Sequence, residues 1–227
     1  MRSPDDDAGP FAALLGADAW HRLPPEVRAR FGGEPHEPDA TLYSGRVAAT
    51  RLTWPGRLLA RAAALLGTPL PDTDGATGAA VVSVTAAPEL GGQLWTRIYR
   101  RAGRFPQVVH SVKRFAGPTG LEEYVGRGIG MALRLTVEDG ALVFSSDHYF
   151  IALPRTQWRW RLPRWLEPGR MRIVHRQIEA HRFQFTLDLE HPLAGLLIHQ
   201  DCLFEDVVPD LGRSHPGRAA ADATPID

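Results

Sequence analysis

The sequence is short of cysteine, of lysine and of net charge. Cys202 is the only cysteine among 227 residues, which excludes an intramolecular disulfide and a zinc site built from a cysteine cluster. Lys113 is the only lysine among 26 basic residues; this preference for arginine, together with abundant Ala, Gly and Pro, is typical of a GC-rich genome. The 26 acidic residues bring the net charge to zero, which argues against a general nucleic-acid binder.

Long apolar segments are also missing. Met1-Arg2-Ser3-Pro4 runs into three aspartates with no apolar signal core behind it. The most apolar helical stretch, 58–66, contains Arg61 and is far too short to span a bilayer. With 44% hydrophobic and 23% charged residues, the composition is that of a globular domain. We therefore expect a soluble cytoplasmic protein without a membrane span.

Two short helices are predicted near the N-terminus. Pro25 lies in the first turn of a helix that continues through Val27 to Phe31. Pro55 opens the second helix, and Gly67 ends it. The second helix places its apolar side chains on one face: Leu58, Leu59, Ala62, Leu65 and Leu66.

The rest of the chain has the pattern of β-strands, rich in β-branched and aromatic residues and separated by turn sequences such as Asp139-Gly140. The predicted strands are 41–54, 79–86, 93–100, 108–115, 121–125, 131–137, 142–153, 156–162, 171–178, 183–190 and 196–204. Because no helical pattern separates the later strands, they indicate an antiparallel, up-and-down order and not βαβ units.

This many strands with a hydrophobic face close into a barrel or a strongly curved sheet, since closure removes exposed edges. We therefore predict a mainly β, lipocalin-like fold in which residues 10–208 form a single domain. Residues 1–9 are expected to be a flexible N-terminus and 209–227 a disordered tail. The alternative is an α+β helix-grip fold, which needs a long amphipathic C-terminal helix that the sequence does not show.

Five passages follow one another along most of the chain: Leu15-Gly16 through Leu23-Pro24-Pro25, Trp95-Thr96-Arg97-Ile98-Tyr99, Leu162-Pro163-Arg164-Trp165-Leu166-Glu167-Pro168, Phe183-Gln184-Phe185 and Pro192-Leu193-Ala194-Gly195-Leu196-Leu197. In order and spacing they resemble a bacterial family known as domain of unknown function 4166. The resemblance covers roughly residues 11–206. The sequence departs from the family pattern at His199-Gln200-Asp201-Cys202, where an aromatic residue and a glycine are expected.

Members of that family often follow a dehydrogenase or epimerase-like domain. The resemblance therefore implies a separate dehydrogenase as a possible partner. It implies no catalytic residue, because the family has no established ones.

Side-chain alternation along 156–162 separates the tryptophans from the arginines of this predicted strand. Trp158 and Trp160 share one face, and Arg159 and Arg161 share the other. Arginines interleaved with tryptophans can bind single-stranded nucleic acid, but on opposite faces they cannot form one groove. A solvated outer face is therefore the preferred interpretation.

Trp95, Arg97 and Tyr99 point the same way from one strand. Inside a barrel, two aromatic rings and a guanidinium could clamp a planar or carboxylated ligand. The alternative is a core arginine paired with Glu122 or Glu123, since a buried charge needs a counter-charge.

Acid–base candidates are concentrated on two strands. Asp147-His148-Tyr149 interrupts an apolar strand, where alternation places Asp147 with Tyr149 and His148 with Phe144, Ser146 and Phe150. Glu122 and Glu123 lie together on a second strand, and His110 and His175 lie within strands of their own. A carboxylate beside a histidine or tyrosine could move a proton in an isomerisation or cyclisation. The alternative is that these groups make ordinary hydrogen bonds.

No metal or cofactor is predicted. His199 and Asp201 share a strand face, but no third ligand is recognisable. Residues 126–130 are glycine-rich, yet they lack the ending of a phosphate-binding loop and are interpreted as a β-hairpin turn or bulge.

The sequence thus favours a barrel that binds an apolar small molecule, such as a lipid, polyketide or terpenoid. Trp95, Arg97, Tyr99, Tyr149, Trp158, Trp160, His110 and His175 are the predicted binding residues. Asp147, Glu122, Glu123 and His148 are the predicted catalytic residues of a cofactor-independent isomerase or cyclase. The alternative is a non-catalytic binding or scaffold domain that docks on a separate dehydrogenase or epimerase.

Overall fold

The structure is a computed structural model, which describes residues 9–33, 40–65, 67, 70–71, 77–126, 128–152 and 158–207. Residues 1–8 of the predicted flexible N-terminus and the whole predicted tail lie outside the described residues.

Within these described ranges, eleven strands form one antiparallel sheet. They are β1 (Ala40–Leu52), β2 (Gly78–Ala87), β3 (Gly92–Tyr99), β4 (Gln107–Arg114), β5 (Leu121–Gly126), β6 (Ile129–Glu138), β7 (Ala141–Ala152), β8 (Arg159–Arg161), β9 (Arg170–Glu179), β10 (Arg182–His191) and β11 (Gly195–Asp206). Turn residues set the strand boundaries: Asp139 and Gly140, for example, both have positive φ and join β6 to β7 in a tight hairpin.

The sheet closes on itself. Each strand from β1 to β7 pairs with the next, β7 pairs with β9, and β11 returns to pair with β1. Ten strands therefore form an antiparallel, up-and-down barrel, while β8 pairs only with the last residues of β7. The predicted barrel is confirmed. The helix-grip alternative does not describe it, since the longest helix among the described residues has 12 residues.

Among the described residues, four α-helices accompany the barrel: α1 (Pro10–Leu15), α2 (Ala17–His21), α3 (Pro25–Gly32) and α4 (Trp54–Leu65). The helices α3 and α4 are the two that the prolines predicted, while α1 and α2 are too short to leave a clear helical pattern in the sequence. No helix in the described part of the chain is long and apolar enough to cross a bilayer.

The N-terminal helices fill one end of the barrel. The Phe11 ring makes edge-on contacts with the rings of Phe31, Phe115 and Phe144. Beside Phe31, the guanidinium of Arg30 donates to both carboxylate oxygens of Asp206 at 3.0 Å. These side chains occupy the interior, and the void between Phe31, Phe144 and Phe183 measures about 30 Å³.

The other end of the barrel is covered by α4. Gly56 lies directly against the backbone of Leu197 at the start of β11, so the helix can approach the strand closely. Ala60 and Ala63 continue the same buried face of the helix. The absence of large side chains at these positions thus allows α4 to pack closely on this end of the barrel.

Candidate ligand-binding site

A cavity of about 280 Å³ lies inside the barrel at the end that α4 covers. Leu59 and Ala62 of α4 line one side, and Leu162 and Pro168, between β8 and β9, line another. The strands contribute further apolar side chains: Val125, Ile129, Met131, Ile173, Leu187 and Leu189. A concave, mainly apolar space with a few polar groups is the usual form of a small-molecule site.

The polar groups of the cavity are Arg97, Glu123 and Gln200, with the tyrosines Tyr99 and Tyr149. Inward-facing positions of three neighbouring strands supply the charged groups, since Arg97 lies on β3, Glu123 on β5, and Lys113 behind them on β4. Apart from Gln200, all of these polar groups are among the site residues predicted from the sequence.

Glu123 is the counter-ion for two buried cations. Its Oε2 lies 3.0 Å from the Nζ of Lys113, and its Oε1 accepts a bond of 3.4 Å from Arg97. The Arg97 guanidinium also donates to Ser111 Oγ at 2.9 Å. Arg97 is therefore a core arginine paired with a glutamate, as the alternative interpretation expected, and the partner is Glu123.

Arg97, Lys113 and Glu123 together form what we call the polar cluster. Their charges determine which of these groups are protonated. Burial would raise the pKa of Glu123, but the positive charges of Lys113 and Arg97 outweigh it and hold the pKa at about 2. Burial lowers the pKa of Lys113 to about 8, although Glu123 opposes the shift. At neutral pH the cluster thus contains one carboxylate and two cations.

Gln200 presents a further polar group to the cavity. It is only 4% exposed and lines the cavity. A side-chain amide can both donate and accept hydrogen bonds, so Gln200 can bind a polar group of a ligand.

A β-bulge changes the faces of β7. Ala132 pairs with His148 while Leu133 pairs with Ser146, which leaves Asp147 as the extra residue. The expected alternation is therefore wrong here: Phe144 and Tyr149 point into the barrel, and Asp147 does not share a face with Tyr149. Burial raises the pKa of Tyr149 to about 12, so its phenol stays protonated.

Asp147 and His148 lie together on the outside of the barrel. The Asp147 carboxylate accepts bonds from Arg134 Nε at 2.7 Å and lies 2.8 Å from His148 Nδ1. These contacts lower the pKa of Asp147, the bond to His148 more than that to Arg134. The catalytic role of the pair stays a prediction, but a ligand in the cavity would not touch either side chain.

Glu122 and Glu123 face opposite sides of β5. Glu122 is buried on the outer side, where it pairs with Arg159 and accepts a hydrogen bond of 3.2 Å from the Tyr124 hydroxyl. Of the two glutamates, only Glu123 reaches the cavity.

Trp95 and the two predicted histidines lie away from the cavity. Trp95 stacks under the Lys113 ammonium, 4.5 Å from its ring centre, and His175 packs on Phe183 in the filled end. Burial and the nearby Arg30 lower the pKa of His175 to about 3. His110 is exposed on the outer face, where it lies 3.0 Å from the Thr96 hydroxyl.

Trp158 and Trp160 are about half exposed and do not line the cavity. The predicted alternation holds, since Trp160 and Arg159 lie on opposite faces of β8. Trp160 is the pairing partner of Ile151, and the Arg159 guanidinium lies over the ring of Phe150, which points outward. Leu162, at the end of the same run, is the residue that reaches the cavity.

The outer face of β10 and β11 carries the remaining acid–base group. His199 lies 2.7 Å from Asp188 through Nδ1 and 3.3 Å from Asp201 through Nε2. The two carboxylates raise the pKa of His199, the bond to Asp188 most. No group of three or more His, Cys, Asp or Glu side chains in the described ranges is arranged to hold a metal ion.

Lys113, Gln200 and the α4 side chains of the site were not predicted from the sequence. Alternation along β4 places Lys113 on the same face as Ser111, and the presence of a single lysine in the chain was the available signal. Gln200 shares its face with Ile198, Cys202 and Phe204 by regular alternation, so the apolar face of β11 was the available signal for it.

The chain matches a family described as Domain of unknown function (DUF4166) over residues 23–204. No curated protein and no solved structure shows significant similarity to it. The matched region begins two residues before α3, ends two residues before the end of β11, and includes Arg97, Lys113 and Glu123. The chain therefore belongs to the DUF4166 family.

Proposed function

We propose that this barrel binds an apolar small molecule in the 280 Å³ cavity between α4 and the polar cluster. The observation that carries the proposal is the contrast between the two ends of the barrel. Aromatic side chains fill one end, and the other keeps a space that its own side chains do not occupy.

The size and lining of the cavity limit the ligand. At about 30 Å³ for each non-hydrogen atom, a value taken from liquid water, the cavity accommodates roughly ten such atoms. Its apolar lining disfavours ordered water and favours hydrocarbon. A lipid chain, a small polyketide or a terpenoid of this size meets both conditions.

The protonation of the polar cluster supports binding over catalysis. A carboxylate with a pKa of about 2 is a weak general base, and a phenol with a pKa of about 12 is a weak acid. Glu123 and Tyr149 are thus better suited to orient a ligand than to exchange protons with it.

The first test is native mass spectrometry of the purified protein, followed by titration with n-decanol, a neutral ligand of suitable size. We expect either a retained apolar compound or saturable binding of decanol. A protein that retains nothing and binds no C8–C12 alcohol would contradict the proposal.

Two matched pairs of variants locate the binding. Val109 lines the cavity and its neighbour Val108 points outward, so Val109→Trp is expected to weaken decanol binding at least about tenfold and Val108→Trp to leave it unchanged. On α4, Ala62 lines the cavity whereas the exposed Ala64 does not, and Ala62→Trp and Ala64→Trp repeat the comparison with little risk to folding. Equal effects within both pairs would place the binding elsewhere.

A further inference from the structure

We infer that the cavity selects an amphipathic ligand with a single carboxylate, whose head group pairs with Arg97. This inference rests on the proposed function and adds the chemical class of the ligand. It starts from an imbalance of charge inside the barrel.

The polar cluster has one positive charge too many. Arg97 and Lys113 are both buried cations, and Glu123 is the only acidic side chain described that contacts them. An isolated charge is costly to bury, so a second anion would stabilise the cluster.

The other ionisable groups of the interior do not supply that anion. His175 is neutral, since its pKa of about 3 lies far below physiological pH. Arg30 is already matched by Asp206. Burial raises the pKa values of Tyr43, Tyr99 and Tyr149 and keeps these phenols neutral.

Arg97 is the cation that a ligand can reach. Its side chain lines the cavity, whereas Lys113 lies behind it and does not. Of the five N–H donors of a guanidinium, the bonds to Ser111 and Glu123 use two, and the remaining donors have no acceptor among the described side chains. Gln200, which lines the same cavity, has an amide group that can donate to a ligand.

A carboxylate matches this site better than other head groups. Its single negative charge equals the excess of the cluster, and its two oxygens suit the planar fork of an arginine. A phosphate monoester carries about −1.5 to −2 at neutral pH and would overcompensate. An ammonium group would have to pair with Glu123, whose two oxygens already face Arg97 and Lys113.

The test compares three C10 ligands that differ only in their head groups. Decanoate, decanol and decylamine are titrated into the protein at pH 7 by isothermal titration calorimetry, below their aggregation concentrations. We expect decanoate to bind at least about tenfold more tightly than decanol, and decylamine to bind most weakly.

Variants of the cluster then assign the preference to its charge. Arg97→Met leaves Glu123 paired with Lys113 and is expected to remove the preference for decanoate while decanol still binds. Lys113→Met leaves Glu123 paired with Arg97 and should reduce the preference for decanoate. It tests the same effect independently if Arg97→Met folds poorly. Arg134→Met, at an exposed arginine of the outer face, is the matched control and should retain it.

A pH titration gives an independent readout. As the pH rises through about 8, Lys113 loses its proton and the excess charge of the cluster falls to zero. Decanoate binding to the wild type should weaken over this range, and decanol binding should not.

The outcomes separate the two proposals. Equal affinities for decanoate and decanol, unchanged by Arg97→Met, would overturn the inference and leave the apolar site intact. Tightest binding of decylamine would overturn it as well, by showing that Glu123 dominates. If none of the three ligands binds and the purified protein retains no apolar compound, both proposals fail.

Discussion

The Nζ of Lys113 lies 3.0 Å from Oε2 of Glu123 inside the barrel, and the two side chains are 4% and 3% exposed. Lys113 is the only lysine of the chain, although arginine serves at every other basic position. The compact ammonium fits between the carboxylate and the face of Trp95, where a planar guanidinium would need more room. The pair therefore links the stability of the barrel to the charge of its cavity.

Glu123→Gln is expected to lower the free energy of unfolding by about 3–5 kcal/mol, because it leaves Lys113 and Arg97 buried without a counter-ion. Urea denaturation monitored by tryptophan fluorescence measures the change.

The double variant Glu123→Gln/Lys113→Met checks the cause of that loss. It removes one of the two uncompensated cations, so it should be more stable than Glu123→Gln alone. A double variant that is no more stable than the single one would show that the cost is not electrostatic.

His175 should make the protein sensitive to mild acid. Its pKa is about 3 in the folded barrel and about 6.5 when unfolded, so the unfolded state binds more protons between these values. The free energy of unfolding should thus fall as the pH drops from 6.5 to 4.5, by up to about 1.4 kcal/mol per pH unit from this residue. Glu123 adds to the loss only below about pH 4.5, its unfolded value.

His175→Phe keeps an aromatic ring against Phe31 and Phe183 and removes the titrating group. Denaturation curves recorded from pH 7 to pH 4.5 should show a shallower decline for this variant than for the wild type. Parallel declines would mean that another group is responsible.

Gly56 should be a sensitive position for the covering helix. A Cβ at this position would collide with the backbone carbonyl of Leu197, so Gly56→Ala is expected to destabilise the protein by about 1–3 kcal/mol. Gly33→Ala is the control, since a Cβ there meets nothing within 4 Å and its φ of −93° suits any residue. Equal midpoints of urea unfolding for the two variants would contradict the close packing of α4 on β11.

Cys202 should be unreactive in the folded protein. The side chain is fully buried, and burial raises the pKa of its thiol to about 12. At pH 8, Ellman's reagent should modify it at least about a hundredfold more slowly in buffer than in denaturing urea. Rapid modification of the native protein would indicate that β11 opens readily.

The positions of the strands were predictable from the sequence because side-chain alternation and turn chemistry act locally. The predicted strand 108–115 lies within one residue of β4 at each end, and Asp139-Gly140 forms its expected turn. The helices α1 and α2 were not predictable, since segments of six and five residues are stabilised by the aromatic core that they contact.

The site was predictable only in part. Arg97, Tyr99 and Glu123 were identified, because they lie on strands whose alternation is regular. Asp147 was placed on the wrong face relative to Tyr149, since one extra residue in β7 reverses the alternation beyond it. A bulge depends on how β6 pairs with β7, and a single strand's sequence does not contain that information.

The sequence alone thus determined the strands, their up-and-down order and the family, because these depend on neighbouring residues and on motifs in series. The tertiary structure decided which end of the barrel is filled, which of two adjacent glutamates faces inward, and that the chain's only lysine is buried. Those properties arise from pairing between distant strands and from the insertion of α1–α3, where residues far apart in the chain meet and set the charge and volume of the cavity.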